Sequence, residues 1–129
     1  MELSYHLDQC QGEKYIFTNG TKSHADIILE KMKIKDKFEK IFTREDCGFK
    51  PHMSAYKKVN DFIRKREKDV DVMFFDDMYE NLVSAKRIGW SSCWIHPHYE
   101  SGIFNDNVDD GYGDIKGALK FINHSLKYK

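Results

Sequence analysis

The sequence predicts an α/β fold: a three-layer, Rossmann-like core on a mainly parallel sheet. Three observations carry this. Apolar runs alternate with segments of helical periodicity in the order β-α-β-α-β-α-β-α, which implies parallel strands joined by right-handed crossovers. The run Val70–Phe75 is flanked by charge, as expected of a strand buried on both faces of a parallel sheet. Short polar islands at Thr18-Asn19-Gly20, Lys50-Pro51 and Asp76-Asp77 fall at or just after strand ends, where open α/β sheets bind their ligands.

Taken in order, Lys14–Phe17 is a short apolar run that stops at a Thr-Asn-Gly turn signal, so a strand and a loop are expected. Ser23–Met32 reads as a helix, with Ser23 as cap, Asp26 three residues on, and Ile27, Ile28 and Met32 as its apolar face. Lys40–Thr43 is a second strand, and Arg44–Phe49, with Gly48, reads as loop. Pro51 suits a helix start, and Ser54–Arg66 follows with Tyr56, Val59, Phe62 and Ile63 on one face. After the Val70–Phe75 strand comes a helix over Asn81–Ile88, which Gly89 can end. Ser92–His96 is a strand stopped by Pro97. His98–Gly113, rich in Gly, Asn and Asp, reads as loop, and Asp114 can cap a last helix over Ile115–Leu126.

Composition narrows the function. The 129 residues suit one domain, and 21 basic against 21 acidic side chains leave no net charge, which argues against a general nucleic-acid binder. Lys31, Lys33, Lys35 and Lys37 cluster, as a solvated helix end also would. Cys10, Cys47 and Cys93 are odd in number and widely spaced, fitting neither a disulfide framework nor a zinc site, so reduced thiols and a cytoplasmic location are expected. No apolar stretch approaches the roughly 20 residues that span a bilayer, so no membrane partner is expected. Glu2, His6 and Asp8 interrupt any signal-peptide core.

The islands carry the chemistry. Thr18 offers a hydroxyl, and Asn19 and Gly20 offer backbone N–H groups at a turn that can cradle a phosphate dianion; by itself the tripeptide also fits an ordinary turn. Lys50, held by the following proline, can neutralise charge that develops on a phosphate; by itself it is also a plain loop lysine. Asp76 and Asp77 close an apolar strand, and two adjacent carboxylates repel unless a cation or donors compensate. Mg²⁺, which takes hard oxygen ligands and phosphate, is the natural partner, and a helix-capping pair is the alternative. Asn81 stands four residues past Asp77, where its amide can orient a carboxylate or a metal-bound water.

In this order and spacing the islands resemble the haloacid dehalogenase-like superfamily of phosphohydrolases, and within it the pyrimidine 5′-nucleotidase-like branch. Thr18 matches the second motif, Lys50 the third, and Asp76, Asp77 and Asn81 the fourth. The wording extends to Tyr15–Gly20, His24, Phe38-Glu39-Lys40-Ile41-Phe42, Lys50-Pro51, Phe75-Asp76-Asp77, Asn81-Leu82, Ala85-Lys86 and Gly89-Trp90, so the resemblance covers roughly residues 14–125. It implies that Thr18 binds the transferring phosphoryl group with help from the Asn19 backbone, and that Lys50 bridges phosphate and nucleophile. It further implies that Asp77 binds Mg²⁺ directly, Asp76 directly or through water, and that Asn81 supports them.

One element of the pattern is not matched. The family's first motif, Asp-x-Asp-x-(Thr/Val), supplies the nucleophile and the general acid/base from a central strand upstream, with a helical cap between it and the second motif. Here 13 residues precede the first clear strand, and their nearest approach, Asp8-Gln9-Cys10-Gln11-Gly12, lacks the second Asp. The expectation is therefore a truncated core without the central first strand and the cap. Residues 1–13 would be a remnant segment, helix or extra strand, and residues 14–129 the core domain. Such a chain would be a nucleotidase-like phosphohydrolase core inactive alone. The alternatives are a non-catalytic module that binds phosphorylated ligands or a protein, and one half of a split phosphatase. The expected partners are a small phosphorylated metabolite and either a second copy or another chain that supplies the missing strand.

Overall fold

The computed structural model describes residues 2–99 and 106–127. The fold is mixed α/β, and among the described residues every strand pairing is parallel. Two compact units divide the chain, one of residues 1–49 with 116–129 and the other of residues 50–115.

The first unit opens with helix α1 (Glu2–Gln9). Leu3, Tyr5 and Leu7 alternate as a strand would, yet in a helix Leu3 and Leu7 share a face and Tyr5 does not. Leu7 is buried and Tyr5 is 59% exposed, as the helix requires. Strand β1 (Tyr15–Phe17) pairs with β2 (Lys40–Phe42), with Ile16 opposite Ile41. Between them runs α2 (Lys22–Lys31), capped by Thr21, whose hydroxyl accepts from the His24 N–H at 3.3 Å. The cap expected at Ser23 therefore lies two residues earlier. The buried face is also corrected: Ala25 and Leu29 are buried, whereas Ile27 and Ile28 face solvent. Lys33, at φ 58°, ends the helix in the left-handed region. Ile34 N–H reaches back to Leu29 O and Lys33 N–H to Glu30 O, a Schellman closure sealed by contact-forming positions Leu29 and Ile34, both buried. A 3-10 turn, Lys35–Lys37, leads into β2.

Residues 44–49, expected as loop, contain a one-turn helix, α3 (Arg44–Cys47). Asp46 accepts from the Thr43 backbone N–H at 3.0 Å and from its hydroxyl at 3.1 Å. The overlooked signal was Thr43-x-x-Asp46, a capping box with Asp in place of Glu. The last helix, α6 (Ile115–Lys127), buries Ala118 and Leu119. In the first unit, Asn123 Nδ2 donates to the His6 carbonyl at 3.0 Å.

The second unit is built on a three-stranded sheet in the order β3 (Met73–Asp76), β4 (Ser91–Ile95), β5 (Asp110–Tyr112). Helices α4 (Met53–Arg66) and α5 (Tyr79–Arg87) pack with it. Tyr56, Phe74 and Trp90 form a triangle of rings with centroids 5.5–5.8 Å apart, and Trp90 Nε1 donates to Asn60 Oδ1 at 2.9 Å. Gly89, at φ 96°, closes α5 through a second Schellman motif, in which Trp90 N–H bonds Ala85 O at 2.9 Å.

Two expectations here are corrected. The strand begins at Met73 rather than Val70, and Met73 is 50% exposed, so β3 is not buried on both faces. Strand β5 lies inside the stretch expected as loop, of which residues 100–105 fall outside the described residues. Asp110 and Gly111 are poor strand formers; pairing with β4 imposes the strand. Asp109 anchors it by accepting from Ser92 N–H at 2.8 Å and pairing with Lys86 at 3.0 Å.

Candidate functional site

The loop after β1 is tied down from several sides. Thr18 N–H continues the sheet to Phe42 O at 3.0 Å. Thr18 Oγ1 accepts from the Gly20 N–H at 3.0 Å, which leaves the hydroxyl proton to donate elsewhere. A Cβ at Gly20 would come within 3.3 Å of the His24 ring and 3.4 Å of Thr18 Oγ1, so the close turn suits glycine. From the start of α3, Arg44 Nε donates to the Asn19 carbonyl at 2.9 Å and Arg44 N–H to Gly20 O at 3.2 Å. Sequence reasoning passed over Arg44, because nothing local marks an arginine in a presumed loop. The expected cradle of two N–H groups changes in detail: the Gly20 N–H is engaged within the loop.

In the second unit, Lys50, Asp76, Asp77 and Asn81 meet at the carboxyl end of β3. Lys50 Nζ lies 2.8 Å from Asp76 Oδ2, and the two side chains retain 10% and 6% of their exposure. Asn81 Nδ2 donates to the same oxygen at 3.2 Å, and the Met78 N–H donates to Oδ1 at 2.9 Å. Lys50 Nζ also sits 5.5 Å from the centre of the Phe74 ring. Asn81 is itself buried, with its carbonyl accepting from Tyr56 Oη at 2.7 Å. Burial, and then the charge of Asp76, push the Tyr56 hydroxyl well above the ordinary phenol range, so it stays a donor. Ser84 Oγ donates to the Pro51 carbonyl at 2.6 Å, which fixes the turn that carries Lys50. Asp77 is exposed, and its carbonyl accepts from Trp94 Nε1 at 3.0 Å.

The donor chemistry admits Mg²⁺. A carboxylate offers about four lone pairs; among the described residues three donors use three on Asp76, leaving one on Oδ1 beside the exposed carboxylate of Asp77. Among the described residues no group of three or more His, Cys, Asp or Glu gathers to cage a metal. Two carboxylates completed by waters and a phosphate suit Mg²⁺, which gives up its water reluctantly. Two other acidic features are placed differently. Asp8 lies in α1 and pairs with Lys37 at 2.9 Å. Asp69-Val70-Asp71 precedes β3, at the end opposite the acidic loop.

Residues 3–95 match the sequence profile of the haloacid dehalogenase-like hydrolases. The chain belongs to that family. Its fold is similar to that of the HAD-hydrolase YfnB from Bacillus subtilis, described as bound to magnesium, with a TM-score of 0.72 and 21% identity over 95% of this chain and 52% of that one. It is also similar to L-2-haloacid dehalogenase from Xanthobacter autotrophicus, with a TM-score of 0.70 and 13% identity over 95% of this chain and 60% of that one. The chain thus spans between half and three-fifths of the length of these structures. Among the described residues no helix is long and apolar enough to cross a membrane.

Proposed function

We propose that this chain is a nucleotidase-like phosphohydrolase core of the family that retains the residues for phosphate and Mg²⁺ but holds no nucleophile, and so has little or no activity by itself. The buried Lys50–Asp76 pair carries the reading. A salt bridge this dry is weak evidence for stability, because desolvation offsets most of its attraction. Placed at the carboxyl end of a parallel strand, beside an exposed carboxylate, it is better explained by charge handling.

In this reading Asp77 and the remaining lone pair of Asp76 hold Mg²⁺, which when bound would neutralise phosphate oxygens. Asn81 and the Met78 N–H keep the Asp76 carboxylate oriented. Lys50, fixed by Asp76, brings its ammonium charge to the phosphate. Thr18 donates its hydroxyl, and the Asn19 backbone assists. Arg44 holds the Thr18 loop in shape through its bonds to Asn19 and Gly20.

The expectation of inactivity follows from the lack of an Asp-x-Asp-x-(Thr/Val) run among these 129 residues. Loss of the nucleophile costs about a millionfold in another hydrolase. Purified protein assayed with Mg²⁺ on nucleoside monophosphates should show no turnover above background. Magnesium-dependent turnover that co-purifies with the chain and disappears in Asp77→Ala would overturn the proposal of inactivity.

A further inference from the structure

We propose that the rings of Trp94, His96 and His98, at the carboxyl end of β4, form a stacking platform for the planar aromatic part of a phosphate ester, such as a nucleobase. That the ligand is a phosphate ester rests on the reading above; the platform itself does not.

The two tryptophans of the chain are used in opposite ways. Trp90 is 3% exposed, locked in the core triangle and bonded to Asn60. Trp94 is half-buried, at the mouth of the sheet. Trp94 and His96 stand two residues apart in the strand direction, so they project to one side. Their ring centroids are 5.2 Å apart at 34°, and His98 continues the row at 5.8 Å and 48°. The indole is pinned through Nε1 to the Asp77 carbonyl at 3.0 Å, which sets the platform against the acidic loop. On β3 its register partner is Asp76; on β5 it is Gly111, which has no side chain to lie beside the indole.

His96 is oriented too. Its Nδ1 accepts from the His98 N–H at 3.0 Å, so the neutral ring carries its proton on Nε2, a donor for an acceptor edge of a heterocycle. Partly exposed rings, two of them oriented by hydrogen bonds, beside a loop suited to phosphate are what a planar leaving group needs. Stacking tolerates any base because every base has a π face.

The test uses the full chain and three probes: adenosine 5′-monophosphate, adenosine, and methyl phosphate, each with Mg²⁺. Binding is followed by calorimetry and by the two indole N–H resonances, with Trp90 as the internal control. Adenosine alone should move the Trp94 resonance and leave that of Trp90 in place. The nucleotide should bind about tenfold more tightly than methyl phosphate, the scale of one base–aromatic stack. Trp94→Leu should erase that difference and Trp94→Phe should keep most of it, with melting temperatures showing that both variants are folded. A Trp94 resonance indifferent to adenosine, or equal affinities for nucleotide and methyl phosphate, would overturn the platform. So would Trp94→Phe behaving as Trp94→Leu does, since the bond to Asp77 would then be the cause. If adenosine still shifts Trp94 while methyl phosphate fails to bind, the phosphate reading falls and the platform stands.

Discussion

Lys50 and Asp76, 26 residues apart in the chain, form an ion pair at 2.8 Å that is nearly closed to solvent. Asp76 also takes donors from Asn81 and Met78, so a single carboxylate joins the turn before α4, the end of β3 and the start of α5. Stability and chemistry therefore meet at one side chain.

Removing one partner should be worse than removing both. Lys50→Met leaves Asp76 buried without its cation and should destabilise the protein by about 3–5 kcal/mol in urea unfolding. The double variant Lys50→Met/Asp76→Leu should recover part of that loss. A single variant as stable as the wild type would mean the carboxylate is better hydrated than its burial implies.

Mg²⁺ should bind weakly alone and more tightly with phosphate. One ammonium and two carboxylates leave a single net negative charge at the end of β3, which a divalent ion overcompensates and a phosphate dianion restores. Calorimetric titration of Mg²⁺ with and without inorganic phosphate reads this coupling directly. Asp77→Asn should weaken Mg²⁺ binding in both conditions; tight binding indifferent to that change would remove Asp77 from the site.

Deleting residues 1–11 should lower the melting temperature or cause aggregation. The segment buries Leu7, pairs Asp8 with Lys37, and presents the His6 carbonyl to Asn123. A shortened chain with unchanged melting temperature and unchanged oligomeric state would show that α1 plays no such part.

Acid should loosen the second unit at Asp109. Burial opposes its charge, but the Ser92 N–H and Lys86 outweigh that, and its carboxyl is held below the usual 3.8. Fewer protons are bound folded than unfolded, so the contribution is present above the unfolded pKa and is lost as pH falls through the folded one. Asp109→Asn should therefore narrow the stability difference between neutral pH and pH 3. At the alkaline end the sign reverses: burial, and then Asp110, push the Cys93 thiol up to about 12. Its contribution is lost as pH rises toward that value, and native Cys93 should resist thiol reagents at neutral pH, where unfolded protein reacts.

Much of the architecture was legible in the chain because it depends on local pattern. Alternating apolar runs and helical faces marked the four longer strand–helix units, and Gly89 marked the end of α5 because a left-handed residue is needed there. The order and spacing of Thr18, Lys50, Asp76, Asp77 and Asn81 pointed to the family that the profile match to residues 3–95 shows. What tertiary structure decided lay wherever local preference was weak or shared. β5 exists because β4 and Asp109 hold Asp110–Tyr112 extended, although Asp110 and Gly111 favour turns. Which side of α2 is buried was settled by packing, which chose Ala25 and Leu29 over the more apolar pair Ile27 and Ile28. Spacing nominated Asp76 and Lys50 separately. Only the fold could bring a lysine from one loop to 2.8 Å from a carboxylate 26 residues later and exclude water from both, because burial and long-range charge pairing are properties of the packed chain and not of any segment of it.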